Sequence, residues 1–184
     1  FYGIYASRGD LSIGNLEVYY LGLDNSILDF DYHTFGKRVS GTTDSGIMYD
    51  FEGGFQVGTN SDGSDHGAYF STTGLGKKLS ICTRCGEWNP IVWFFYDYAS
   101  GEDNPANVAR GDDGFDHLFP LAHKYNGFMD LFGRRNLHDI NAQFITPVMS
   151  NKVKLLLWYH YFSLVERTTP VSYTHLRAHE TPVN

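Results

Sequence analysis

Apolar and polar residues alternate along most of this chain, the period of a β-strand whose two faces meet different surroundings. The clearest stretch runs from Gly46 to Gly58, with Ile47, Tyr49, Phe51, Phe55 and Val57 on one face and Asp50, Glu52 and Gln56 on the other. Leu137 to Thr146 repeats the pattern, Ile140, Ala142 and Phe144 opposing Asp139, Asn141 and Gln143. From Lys152 to Val165, the residues Val153, Leu155, Leu157, Tyr159 and Tyr161 oppose Lys152, Lys154, Trp158 and His160. Leu16–Leu23, Tyr32–Gly41, His66–Leu75 and Pro90–Ser100 are further strand candidates. Phe1, Gly3 and Tyr5 against Tyr2, Ile4 and Ala6 read as a strand already under way, so the chain is expected to be an internal fragment. The pattern predicts about eight strands of roughly 9 to 12 residues, the length a tilted strand needs to cross a bilayer.

The connections are rich in Gly, Asp, Asn and Ser at 24–26, 42–46 and 59–67. One is far longer, from Gly101 to about Asn136. Such length is unusual in a compact soluble domain and ordinary in an outer-membrane barrel, where long loops alternate with short turns. Its Phe115, Leu118, Phe119, Pro120 and Leu121 are too apolar for a solvated loop. The segment is therefore expected to fold back into a lumen or over a barrel mouth. No helix is clearly called for. After Arg167 the periodicity stops, and SYTHLRAHET resembles a translated sequencing-adapter tail. The expected domain is residues 1–167, with 168–184 a non-native or disordered tail.

Composition narrows the class. The 184 residues are 16% aromatic and 19% charged, with 14 basic against 21 acidic side chains and a net charge of -7. That balance argues against a nucleic-acid partner, which requires a basic footprint. Aromatics this dense argue against disorder. The longest apolar run, Ile91 to Tyr96, is too short for a transmembrane helix. A secreted carbohydrate-binding β-sandwich and a membrane β-barrel both remain, because each places one strand face in an apolar medium. Three features favour the barrel. Aromatics gather near strand ends (Trp88, Trp93, Tyr96, Tyr98 and Trp158 to Phe162), where an interfacial girdle sits. The strands exceed the five or six residues usual in soluble sheets. The polar faces carry Gln, Asn, Asp and Lys rather than dense Lys and Glu.

Residues 94 to 166 carry a longer signature: a YDYASGE strand end at Tyr96–Glu102, a loop FDHLFPLAHKYNGFMD at Phe115–Asp130, NLHD at Asn136–Asp139, and LWYHYF at Leu157–Phe162. Upstream stand LEVYYLGLD (16–24), HTFGKRVSG (33–41) and YDFEGGFQVG (49–58). In this order the segments resemble the alginate-export family of outer-membrane β-barrels. Within the loop motif, Phe115, Asp116, Pro120, His123, Lys124, Tyr125 and Asp130 are the matching positions. ICTRCGEWNP (81–90) departs from the pattern, where a plain strand and turn is expected. The resemblance implies an all-β, antiparallel transmembrane barrel in the bacterial outer membrane, of which these strands form a C-terminal part. The best-known member has eighteen strands and an arginine-lined pore for an acidic polysaccharide. By that likeness the function is a channel for an anionic, alginate-like polysaccharide or another anionic solute, with a general porin as the alternative.

An anion pathway needs basic side chains facing the lumen. Alternation puts Arg38, Lys152, Lys154 and His160 on the lumenal face, and Arg134 and Arg135 sit where the long loop enters the last strands. Lys152 and Lys154 also fit a strand start at the water interface, and the two arginines a loop cap. Asp50, Glu52 and Asp139 share the lumenal face and are positioned to pair with arginines. The net acidity suits an anion channel only if the acids sit mostly in loops, as Asp112, Asp113 and Asp116 do. His117 and His123 among those aspartates also fit a solvated loop, and no metal is expected. Cys82 and Cys85 form a lone CxxC without a second pair or a redox-fold context, and in an oxidising compartment they are close enough in sequence for a local disulfide. No GxSxG, HExxH or phosphate-binding Gly loop occurs, so neither enzymatic activity nor a cofactor is expected. The expected partners are outer-membrane lipid and the anionic solute.

Overall fold

The computed structural model describes residues 1–83, 86–102, 113–118, 132–148 and 152–166. They form strands β1 (Tyr2–Leu11), β2 (Gly14–Asn25), β3 (Phe30–Thr42), β4 (Ile47–Thr59), β5 (Asp65–Lys78), β6 (Ile81–Thr83), β7 (Gly86–Trp88), β8 (Ile91–Ala99), β9 (Leu137–Val148) and β10 (Val153–Ser163). Eight of these make one antiparallel meander in the order β1-β2-β3-β4-β5-β8-β9-β10, and β6 and β7 form a separate two-stranded sheet. The fold is all-β, a partial barrel whose sheet is not closed. No described helix is long and apolar enough to cross a membrane.

The register decides which side chains share a face. Arg38 stands opposite Glu17 and Glu52. Glu52 stands opposite Thr72, Thr72 opposite Asp97, and Asp97 opposite Asp139. Six neighbouring strands, β2 to β5, β8 and β9, thus place polar residues side by side on one face. The other side carries Ile4, Phe55, Phe94, Ile140, Leu157 and Tyr159, each more than half exposed. A sandwich requires a second sheet packed on these residues, and among the described residues there is none. On a flat sheet five interstrand steps would separate Arg38 from Trp158 by about 24 Å. Both line one cavity, so the sheet is curled with its polar face inward.

The outward face shows the aromatic edge expected of a girdle. Toward the rim with the long connection, Tyr20 meets His33 Nδ1 at 2.8 Å, the Tyr69 and Tyr98 hydroxyls lie 3.0 Å apart, and Tyr96 meets His138 Nδ1 at 2.7 Å. Trp93 and Trp158 do not belong to it. Trp93 lies opposite Gly76 and Gln143, and Trp158 opposite Gln143, so strand parity turns both inward, along with Phe162. Nearness to a strand end is not enough to make an aromatic a girdle residue.

Where plain strand and turn is expected, residues 81–83 and 86–88 pair as the short antiparallel strands β6 and β7. Leu79 N–H donates to Pro90 O at 2.8 Å and closes the base of the pair. Trp88 Nε1 donates to Thr146 Oγ1 at 2.6 Å, tying β7 to β9. Cys82 is exposed with a free thiol, and Cys85 lies outside the described residues.

Bending brings side chains of the inner face together, and glycines make the room. Tyr19 stands directly across from Gly36, and Phe95 across from Gly74. A Cβ at either glycine would run into the facing ring. Phe70 over Gly54 and Trp93 over Gly76 repeat the arrangement. Ring and glycine share one side chain's volume, which lets adjacent strands tilt inward. Gly74→Ala or Gly36→Ala is expected to lower stability by about 1–3 kcal/mol through overpacking, read as a lower urea midpoint for the protein refolded in lipid vesicles.

Candidate functional site

Within the curl lies a cavity of about 180 Å³. Arg38 lines it, held by Asp50 in a fork: Nε to Oδ1 at 2.7 Å and Nη2 to Oδ2 at 2.6 Å. Its Nη1 is 3.5 Å from Glu17 Oε2. Alternation alone creates this fork, since Asp50 lies diagonally across the β3–β4 ladder from Arg38. The neighbouring Glu52 accepts the Tyr19 hydroxyl at 2.7 Å.

Arg134 reaches the same cavity from just before β9. Its Nη2 donates to Asp97 Oδ1 and to Thr72 Oγ1, each at 3.0 Å, and its guanidinium lies 5.0 Å from the centroid of Phe70. The Thr72 hydroxyl also hydrogen-bonds Asp97. With 11% and 8% of their side chains exposed, Arg134 and Asp97 form a buried ion pair. Arg135 turns away, Nη1 donating to Gly114 O at 3.2 Å.

The two arginines differ in what they fix. Arg38 belongs to the sheet alone, whereas Arg134 anchors the long connection. That connection leaves and re-enters through a clasp. Phe115 N–H and Asn136 N–H both donate to Ser100 O at 3.0 Å, and Asn136, with φ of 49°, accepts Glu166 N–H on its side chain at 2.8 Å. Residues 113–118 then lie on the inner face. The Phe115 ring packs 4.7 Å from Phe70, in a small core with Ala68 and Ala99. Gln56, fully buried, accepts Asp116 N–H at 2.9 Å and donates to Asp116 O at 3.1 Å, pairing with the segment as a strand would. Thr34 Oγ1 and His66 Nε2, each 2.9 Å from the Gln56 amide, orient it. The sequence shows Gln56 only as one more polar-face residue. Nothing local distinguishes it, because its partner is 60 residues away.

On β9 and β10, Asp139 Oδ2 meets His160 Nδ1 at 2.9 Å and accepts Asn141 Nδ2 at 3.0 Å. Trp158 Nε1 donates to Asn141 Oδ1 at 3.0 Å. Lys154 shares this face but is exposed near the opposite rim, and Lys152 sits exposed in the turn before β10. Of the positions expected from the loop motif, Phe115 and Asp116 are placed as above. Pro120, His123, Lys124, Tyr125 and Asp130 lie outside the described residues, as does 168–184. Among the described residues no three metal-ligating side chains come together. The acids are not confined to loops, because Glu17, Asp50, Glu52, Asp97 and Asp139 all face inward on strands.

An open, inward-curled antiparallel sheet with an exposed apolar exterior and a polar, ion-paired interior is the wall of a membrane barrel. The family model described as alginate export matches residues 1–180. The chain belongs to the alginate-export family. This is a family of outer-membrane β-barrels for the export of alginate-like polysaccharide. The match spans the described sheet and continues past Arg167. Nothing among the curated proteins and no solved structure matches this alginate-export chain.

Two outcomes follow from how the loop is held. Arg134→Ala leaves Asp97 buried without its cation and is expected to weaken docking of residues 113–118 by about 3 kcal/mol, read as faster hydrogen exchange at the Phe115 amide. His117 supplies a pH dependence. Burial first, and then the nearby Arg134 charge, hold its pKa down to about 4 against an ordinary 6.5. Between these values an undocked His117 binds a proton and the docked one does not. Docking is therefore full above pH 6.5 and weakens as pH falls toward 4. Phe115 amide exchange should follow that window, and His117→Gln should flatten it.

Proposed function

We propose that this chain forms part of the wall of an outer-membrane channel that passes an anionic polysaccharide of the alginate kind, with the apolar exterior against lipid. The observation that carries the reading is the pair of arginines lining one inward cavity, each already bridged by a carboxylate. A carboxylate on a passing polymer meets a guanidinium whose planar fork matches it. It competes with Asp50 or Asp97 rather than filling an empty cationic site. Binding then offsets the loss of an existing pair, so the polymer is held weakly enough to move on, which conduction requires. Arg38, the more accessible of the two, is the primary contact, with Arg134 serving mainly to hold the loop. Lys154 and Lys152 add positive charge at the opposite rim.

The outward face carries exposed basic residues, Lys37 opposite Val18 and Gly53 among them, with Arg8 and Lys77 nearer the strand ends. The long stem of Lys37 allows its ammonium to reach the interface. No step of this function involves covalent chemistry or a cofactor.

A general porin is the second reading, favoured by the surplus of inward carboxylates over guanidiniums. Planar-bilayer conductance of the protein with and without alginate oligomers separates the two. For the polysaccharide channel, oligomers block the current, and Arg38→Ala weakens the block about tenfold, the scale of a lost charge-assisted hydrogen bond. Equal permeability to anions and cations without any block removes this reading and leaves the porin.

A further inference from the structure

The inner face of β8, β9 and β10 carries a repeated pattern that arginine chemistry does not explain. In one row across the strands stand Phe95, Asn141 and His160, and in the next Trp93, Gln143 and Trp158. Each row is an amide flanked by two aromatic rings. Phe95, Asn141, Gln143 and Trp158 all line the cavity. Two interstrand steps put the β8 and β10 backbones about 9.6 Å apart, and same-face rows repeat at about 6.8 Å along the strands.

The rings are held in place. Trp158 Nε1 donates to Asn141 Oδ1, His160 Nδ1 meets Asp139 Oδ2, and Asn141 Nδ2 donates to the same Asp139 oxygen. Asp139 and Asn141 together therefore fix the planes of two rings on the neighbouring strand. Trp93 and Phe95 stack on each other at 5.2 Å and 19°, seated over Gly76 and Gly74. On β10 Trp158 packs against His160 at 4.5 Å, tilted by 43°, and His160 stacks on Phe162 at 5.1 Å and 9°.

We propose that this cavity is a stacking subsite for a pyranose ring of the transported polymer, with Phe95 and Trp158 as walls and Asn141 and Gln143 as floor. The inference rests on the channel reading above and names what part of the polymer this section recognises. Asn141 is already held by Trp158 and Asp139, but a purely apolar ligand would cover the Gln143 amide without offering it a partner, at a cost of about 1–3 kcal/mol. A compact anion finds both nearby guanidiniums bridged by Asp50 and Asp97. A sugar ring satisfies both requirements. Its C–H faces lie against aromatic rings, and its hydroxyls both donate and accept, as the amides do. The subsite reads the ring rather than its carboxylate.

The test is oligosaccharide block of single-channel current with two probes of equal length, an alginate oligomer and a neutral glucose oligomer. Trp158→Ala and Phe95→Ala are each expected to weaken block by both probes about tenfold, the upper range for one aromatic contact, while Trp158→Phe keeps most of it. A tryptophan reporter needs no ring deletion. With Trp88 and Trp93 replaced by Phe, the remaining Trp158 emission should shift on saturation with either oligomer. Undiminished block in both alanine variants, or an unshifted emission at saturation, overturns the subsite and leaves the channel standing. Wild-type protein that neither oligomer blocks overturns the channel reading itself.

Discussion

Curling an antiparallel sheet inward crowds one face while opening the other, and this structure is organised around that asymmetry. The outer face can be plain, because lipid accepts Phe, Leu, Ile and Val in any arrangement that stays apolar. The inner face must fit large rings, charges and a returning loop on a surface that shrinks as it bends. It does so by setting rings across from glycines, Tyr19 on Gly36 and Phe95 on Gly74. A side chain at either glycine would meet the facing ring too closely for both to keep their places. The rest of the site depends on that bend, since Arg38 and Trp158 share a cavity only because the sheet is curled.

Charge inside the curl is handled by pairing. Arg38 is forked by Asp50, and Arg134 is bridged to Asp97 with Thr72 and the Phe70 face completing its surroundings. In a space partly shielded from water an unpaired guanidinium would bind an anion tightly and release it slowly. Paired ones exchange partners at small net cost, which suits passage better than capture. The same pairing joins sheet to loop. Arg134 and Gln56 both use sheet side chains to hold the segment that carries Phe115, so the loop's position and the trough's electrostatics are set by overlapping groups.

The sheet was legible in the chain to within a few residues. Expected strands at 16–23, 32–41, 46–58 and 137–146 lie within or across β2, β3, β4 and β9, and the assignment of Asp50, Glu52 and Gln56 to one face of β4 matches their positions in the ladder. Period-two patterning is a local property, and any strand with one apolar environment must display it. The pairing of β6 with β7 was not legible, because three-residue strands carry too few positions to show a period. The aromatic girdle was half legible. Tyr96 and Tyr98 face outward as expected, whereas Trp93 and Trp158 were misread from their nearness to strand ends, a cue that ignores parity.

By itself, then, the sequence determined the alternation, the family and the shared face of Asp50, Glu52 and Gln56, all of which follow from residue order along the chain. Tertiary structure alone decided the partners. Nothing in the order of residues says that Gln56 will hold Asp116, that Arg134 will reach across to Asp97, or that Phe95 and Trp158 will flank the same two amides. Those juxtapositions arise from the stagger of neighbouring strands and the radius of the curl. Both are set by how every cross-strand pair packs at once, and no local stretch of chain contains that information.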